Sequence, residues 1–168
     1  MGEGTNHQLV GRGSEHRVYQ SNVREDRLIK VPTLRGQTYQ RVKGGAPAIR
    51  EEFKRARKMV EGTTIQVPRT RVFKAGDGYV MEQQKIEPDP NATVEDIRRE
   101  IEQYRDRPEL VATFQSNHDN FIRGTDGVTY WIDPTNGMIP ALEKVTRGIV
   151  SRERYRKAKA LYKRFRGR

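Results

Sequence analysis

The stretch that decides the fold is residues 9–19, LVGRGSEHRVY, in which two short apolar pieces flank a turn containing glycine. Residues 27–31, RLIKV, form a third apolar piece that ends at Pro32. Short apolar runs bounded by glycine, proline and polar residues are typical of β-strands. Three such strands with tight connections predict an antiparallel sheet near the start of the chain.

A helix is predicted after the third strand. Pro47 suits the first turn of a helix, and the pattern ends near Gly62. Between them, apolar residues at helical spacing form one face: Ile49, Phe53, Ala56, Met59 and Val60. Glu52 lies on that apolar face.

Two further strands are predicted at residues 71–74 and 78–82, joined by a Gly-Asp-Gly turn. Thr93 and Asp96 then resemble the capping box of a helix that continues to about Arg105. The composition therefore changes from mostly strand to mostly helix.

A hairpin follows this helix. Residues 120–123 and 128–132 flank the turn Gly-Thr-Asp-Gly, which is a strong hairpin signal. Asn120 precedes the first strand and Asp133 follows the second. Because both stand at the open end of the hairpin, we expect their side chains to converge.

The composition limits the class of protein. The 168 residues fit one domain, or two small lobes sharing a core, and hydrophobic and charged residues each make up 33% of the chain. The absence of cysteine excludes disulfides, thiolate metal sites and cysteine nucleophiles. No apolar stretch approaches the roughly 20 residues of a membrane span, and no charged and apolar leader opens the chain, so neither membrane insertion nor secretion is expected.

The excess positive charge is concentrated at the end of the chain. Of the net charge of +11, residues 151–168 carry +8, with nine basic residues and one acid. Tyr155, Ala158, Leu161, Tyr162 and Phe165 recur there at helical spacing, which predicts an amphipathic helix. This helix either docks on the body with a solvated basic face or binds an anionic partner such as nucleic acid, an acidic protein or lipid headgroups.

Phosphoryl transfer requires backbone amides over phosphates, a cation on the phosphate oxygens, and oxygen ligands for Mg²⁺. Gly11 and Gly13 would let the backbone close over a nucleotide, Lys30 would hold phosphate oxygens, and Glu52 would pair with that lysine. Each residue alone also has an ordinary explanation in a turn, a strand edge or a helix surface. Their order and spacing make the phosphoryl-transfer interpretation the stronger one.

The chain resembles the protein-kinase-like superfamily, including its aminoglycoside-phosphotransferase-like branch, across residues 9–135. Residues 9–19 look like the glycine-rich loop of that family, with Gly11, Gly13 and Val18 in register. The resemblance implies an α+β, two-lobed fold with an antiparallel N-lobe sheet, one N-lobe helix and a strongly abbreviated helical C-lobe. It also implies ATP and Mg²⁺ as cofactors.

The resemblance assigns roles to further residues. Lys30 is similar to the nucleotide-binding lysine, and Glu52 to the helix glutamate that pairs with it. Residues 79–83 resemble the segment that enters the hinge, where backbone groups near Glu82 would meet adenine. The predicted N-lobe is residues 1–86.

The predicted C-lobe, residues 87–168, contains the metal-binding hairpin and the basic helix. Asn120 and Asp133 lie 13 residues apart, which is similar to the spacing of the two metal ligands of the family. As ordinary turn residues they would need no metal. With the upstream loop, lysine and glutamate, this pair is the most specific part of the resemblance.

Two departures limit what the resemblance implies. Gln115 stands where the family usually has its catalytic aspartate, so Asp119 is the nearest candidate to orient an acceptor hydroxyl, with His118 as an alternative base. Asp133 is followed by only 35 residues, too few for the long activation segment and helical platform of ordinary protein kinases. A substrate platform would be abbreviated or supplied by a partner.

The resulting hypothesis is a minimal atypical kinase that transfers phosphate from Mg-ATP to a protein Ser/Thr or a small-molecule hydroxyl. The alternatives are a pseudokinase or interaction module whose basic helix binds an acidic partner, and a small nucleic-acid-binding protein. A cytoplasmic location is expected, since neither a membrane span nor secretion is. Minimal kinases of this build resemble bacterial effector and phage proteins, for which the location would be the host cytoplasm.

Overall fold

The structure is a computed structural model that describes residues 8–13, 15–37, 44–76 and 78–134. The predicted basic helix, residues 151–168, lies outside the described residues. The strands are β1 Leu9–Arg12, β2 His16–Gln20, β3 Arg27–Pro32, β4 Thr70–Ala75, β5 Gly78–Gln84, β6 Phe121–Arg123 and β7 Thr129–Trp131. The helices are α1 Gly45–Val60, α2 Val94–Glu102 and α3 Pro108–Ser116, followed by a 3₁₀ turn, His118–Asn120.

Strands β1 to β5 form one antiparallel sheet in the order β1-β2-β3-β5-β4. The prediction of an α+β fold with an antiparallel sheet is therefore confirmed. Strand β3 is central, and its Lys30 lies between Val18 of β2 and Met81 of β5. Because cross-strand partners point to the same face, these three side chains share one side of the sheet.

Helix α1 covers this side of the sheet and carries the predicted apolar face. Its first half packs in a buried cluster formed by Ala46, Ile49, Phe53, Val72, Tyr79 and Met81. The helix begins after Gly44, whose φ of 114° suits glycine. The predicted and observed helices therefore agree to within a few residues.

The second half of α1 enters a different buried cluster with α2, α3 and the hairpin. Its members are Ala56, Val60, Ile65, Ile97, Ile101, Leu110, Phe114, Phe121 and Trp131. The rings of Phe121 and Trp131 stack at 5.4 Å between centroids. Because α1 and Val67 contribute to both clusters, the structure is continuous across the predicted lobe boundary at residue 86, and the division into lobes stays a prediction.

Helix α2 begins with the predicted capping box. The Thr93 hydroxyl accepts a hydrogen bond from the Asp96 N–H at 3.2 Å, and the Asp96 carboxylate accepts one from the Thr93 N–H at 2.9 Å. The helix ends at Glu102, three residues before the predicted end. No helix among the described residues is long and apolar enough to cross a membrane.

Helix α3 was not predicted from the sequence. Pro108 occupies its first turn, and Leu110 and Phe114 are buried on one side. The predicted hairpin is present as β6 and β7, with Phe121 paired to Trp131. Asn120 ends the 3₁₀ turn directly before β6.

Candidate functional site

Lys30 is the central residue of the candidate site. Its side chain lies on the side of the sheet covered by α1 and is only 7% exposed. Its ammonium donates a hydrogen bond of 3.0 Å to the backbone carbonyl of Ile132, which is 102 residues away in the sequence. This bond joins the middle of the five-stranded sheet to the end of the β6–β7 hairpin.

The charge of Asp133 acts on Lys30. Burial lowers the pKa of Lys30 because a charged ammonium is poorly solvated in the protein interior, while the nearby Asp133 carboxylate raises that pKa. The Lys30 ammonium, which is bonded to the Ile132 carbonyl, therefore lies within the electrostatic influence of the next residue, Asp133.

The backbone around Ile132 is held by three hydrogen bonds. Its carbonyl also accepts from Nε2 of buried Gln83 at 2.9 Å, and its N–H donates to the Asn120 carbonyl at 2.8 Å. The Gln83 side chain is fixed in turn by Thr70 Oγ1 at 3.1 Å. Asn120 and Asp133 therefore lie at the same open end of the hairpin, as the sequence predicts.

His16 and Tyr79 belong to the same buried region, although the sequence analysis did not assign them to the site. His16 Nε2 lies 2.7 Å from the Tyr79 hydroxyl, and both side chains are buried. Burial lowers the pKa of His16, which the Asp133 charge raises and the Lys30 charge lowers again. His16, Lys30 and Tyr79 thus form a buried polar cluster beside the half-buried Asp133, and the Gln83 side chain joins it through the shared Ile132 carbonyl.

Glu52 of α1 lies near this buried polar cluster. Burial raises the pKa of Tyr79 above its usual value, and the charges of Glu15, Asp133 and Glu52 raise it further. Tyr79 is therefore neutral at physiological pH. The ion pair between Glu52 and Lys30 stays a prediction.

The glycine turn lies at the edge of the sheet, and Gly11 is in register with Lys30 across β2. Gly11 pairs with Val18, which pairs with Lys30. A Cβ atom added to Gly11 or Gly13 would meet its nearest neighbour at 3.6 or 3.5 Å, an ordinary van der Waals distance. Neither glycine has a positive φ. The described fold therefore does not require glycine at either position.

Glu82 lies on the other side of the sheet from Lys30. It pairs with Ile29 of β3 and alternates with buried Met81 and Gln83 along β5. Its side chain therefore points away from the buried polar cluster. The sequence-based expectation concerned backbone groups near Glu82, not its side chain, and it stays a prediction.

The candidate bases are at the surface. The Asp119 side chain is 85% exposed, and its Oδ1 lies 3.3 Å from Nε2 of His118. Gln115 is exposed near the end of α3. Asp119 is thus accessible to an acceptor, while its role as the orienting base stays a prediction.

The ligand set for a cation is limited. Among the residues that the structure describes, no three His, Cys, Asp or Glu side chains are grouped so that they could hold a metal. Asn120 and Asp133 offer amide and carboxylate oxygens, the ligand type that Mg²⁺ prefers. Both are half-buried at the hairpin end. This pair fits an ion that takes its remaining ligands from phosphates and water.

Comparison with known proteins gives no family assignment. No protein-family model matches the sequence, and no curated protein matches it significantly. The kinase-like resemblance therefore stays a prediction, and function is inferred from the geometry of the site.

Proposed function

We propose that this chain is a minimal atypical kinase of the protein-kinase-like superfamily, which transfers a phosphoryl group from Mg-ATP to a hydroxyl acceptor. The observation that carries the proposal is the contact of Lys30 with the Ile132 carbonyl, at 3.0 Å, directly before Asp133. The contact brings the Lys30 cation to the end of the late hairpin, beside the residue whose carboxylate would bind the metal. A nucleoside triphosphate that bridges a lysine and a metal-binding carboxylate needs these two groups near each other.

The residues of the chain would act mainly by positioning and electrostatics. Lys30 would hold the α and β phosphate oxygens, which replace the Ile132 carbonyl as its partner. Mg²⁺, held by Asn120 and Asp133, would neutralise charge on the phosphates. Exposed Asp119 would orient the acceptor hydroxyl for in-line attack.

The two glycines support the same proposal. Gly11 and Gly13 have no conformational requirement in the described fold, and a Cβ atom there would meet its neighbours only at ordinary van der Waals distances. Glycine at such positions lets a backbone approach a ligand closely. The turn adjoins the strand whose Val18 neighbours Lys30.

A thermal-shift series with Mg-ATP tests the proposal. We expect Mg-ATP to raise the melting temperature of the wild type and to have little effect on Lys30→Ala and Asp133→Ala. Exposed Lys74→Ala and Asp106→Ala remove the same charges elsewhere and should respond like the wild type. An equal shift in all five proteins would contradict a nucleotide site at Lys30 and Asp133.

A second candidate function is a pseudokinase or interaction module without phosphoryl transfer. Gln115 at the usual position of the catalytic aspartate favours it, because an amide cannot accept the acceptor proton. A transfer assay with γ-labelled ATP and generic protein and small-molecule acceptors separates the two functions. A shift confined to proteins with Lys30 and Asp133 intact, but with no labelled product, would favour the pseudokinase.

A further inference from the structure

A polar groove of about 350 Å³ lies where β3 begins and β5 ends. It is lined by Asp26, Arg27, Gln66, Val67, Arg69, Gln84 and Lys85. None of these residues belongs to the buried polar cluster around Lys30. The groove is therefore a separate feature of the sheet edge, and its volume is within the range of small-ligand sites.

The groove has an excess of positive charge. Arg27, Arg69 and Lys85 are opposed by one lining carboxylate, Asp26. Arg27 Nε lies 3.2 Å from Asp26 Oδ2 but makes no hydrogen bond, although this nitrogen is buried. The Asp26 carboxylate thus offsets the charge of Arg27 without a well-directed hydrogen bond to its Nε, so the guanidinium is only partly satisfied within the described residues.

The other two cations differ in how readily an anion could reach them. Arg69 is exposed and has no ion pair among the described residues. Lys85 pairs with Glu87 at 2.6 Å between Nζ and Oε1, but both side chains are solvent-accessible, at 35% and 63%. Exposed ion pairs of this kind are weak, so a ligand can displace the glutamate.

The walls of the groove are fixed by backbone hydrogen bonds. Gln66 donates to the Thr129 carbonyl at 2.9 Å and accepts from the Trp131 N–H at 2.8 Å. Gln84 donates to the Arg69 carbonyl at 2.8 Å, and Lys85 to the Asp26 carbonyl at 2.9 Å. The lining side chains therefore project from a preformed frame, which lowers the entropic cost of binding.

We propose that this groove binds a small phosphorylated molecule, with its phosphate between Arg27, Arg69 and Lys85. A phosphate offers several strong acceptor oxygens, and guanidinium groups bind such oxygens in paired, directional hydrogen bonds. The side-chain amides of Gln66 and Gln84 supply neutral groups for hydroxyls on the same ligand. This site does not depend on the proposed kinase function, since it shares no residue with that site.

The test is a titration of the full chain with inorganic phosphate and with glycerol 3-phosphate at constant ionic strength, followed by two-dimensional amide NMR. We expect shifts centred on residues 26–27, 66–69 and 84–85, with tighter binding of glycerol 3-phosphate. Arg69→Gln and Lys85→Gln should each weaken binding roughly tenfold or more. Arg17→Gln removes an exposed arginine from β2 and should leave the affinity unchanged.

Asp26→Asn provides a test of opposite sign. Removal of this carboxylate frees Arg27 and removes repulsion of the phosphate, so binding should become tighter. Glu102→Gln makes the same change in net charge at an exposed site on α2 and should have no such effect.

Absence of amide NMR shifts at the groove, or equal affinities of wild type and Arg69→Gln, would overturn the proposal. Retained phosphate binding with no response to Mg-ATP would refute only the kinase function.

Discussion

The hydrogen bond between His16 and Tyr79 joins residues that are 63 positions apart and lies in the interior beside Lys30. Tyr79→Phe would leave the buried imidazole nitrogen without its partner and should lower the free energy of unfolding by about 1–3 kcal/mol. Tyr19→Phe, at a half-buried position on β2, is the matched control. Urea denaturation measures the difference, and equal stabilities of the two variants would show that the bond contributes nothing.

The same histidine predicts a pH dependence of stability. Burial lowers the pKa of His16 in the folded state, so below about pH 6.5 the unfolded chain binds a proton more readily. The free energy of unfolding should therefore fall as the pH decreases through 6.5 and level off below the folded pKa. His16→Gln, which can still hydrogen-bond to Tyr79, should lose this slope between roughly pH 7 and 5.5. An unchanged slope would assign the effect to other groups.

Substitution of Gly11 and Gly13 tests ligand binding separately from folding. Because a Cβ atom fits at both positions and neither φ is positive, Gly11→Ala and Gly13→Ala should retain the melting temperature of the wild type. If the turn closes over phosphates, each should weaken Mg-ATP binding by about tenfold, or ~1.4 kcal/mol. Calorimetric titration measures the affinity. Unaltered affinity in both variants would place the turn outside any nucleotide site.

Among the structural elements, α2 depends on its first turn. Thr93→Ala removes the hydroxyl that caps the helix and should destabilise the protein by about 1 kcal/mol. Thr93→Ser keeps the capping hydroxyl and should remain close to the wild type. Thermal unfolding compares the two, and equal losses would attribute the effect to the threonine methyl group.

The elements with strong local patterns could be predicted from sequence. The strands around residues 9–31 and helix α1 have apolar spacing and turn residues that act within a few positions of each other. Helix α3 was missed because its pattern is short and only moderately amphipathic. Its buried Leu110 and Phe114 acquire their role from contacts with α1 and the hairpin, which no local window contains.

One geometric feature of the candidate site could be predicted from the sequence. The open end of the hairpin placed Asn120 and Asp133 together, because a hairpin has only one such end. The roles of Lys30 and Asp133 come from the family resemblance and stay predictions, while the structure shows the Lys30 ammonium bonded to the carbonyl of Ile132, the residue before Asp133. The positions of His16 and Gln83 could not be predicted, since their partners, Tyr79 and the Ile132 carbonyl, are set by the packing of distant elements. Alternation along β5 does place Tyr79 and Gln83 on the buried face, so a partial signal was present.

At the scale of the described molecule, α1 links two buried clusters. Phe53 packs on the sheet, and Ala56, less than one helical turn later, packs with α2, α3 and the hairpin. Val67 contacts both clusters. The Lys30 contact with Ile132 is a third link between the sheet and the hairpin. These links favour one cooperative unit rather than two independently folding halves.

This arrangement predicts a single unfolding transition. Trp131, the only tryptophan, is buried against Phe121 in the second cluster and reports its unfolding by fluorescence. Far-UV circular dichroism reports the helices and the sheet together, and the two unfolding transitions should coincide in urea.

Met81 lies in the first cluster, far in sequence from Trp131, and Met81→Ala should destabilise the protein by about 2–5 kcal/mol. If the clusters are coupled, this variant shifts the fluorescence transition as much as the dichroism transition. A fluorescence midpoint unaffected by Met81→Ala would show that the sheet and the helical part fold separately, with α1 divided between them.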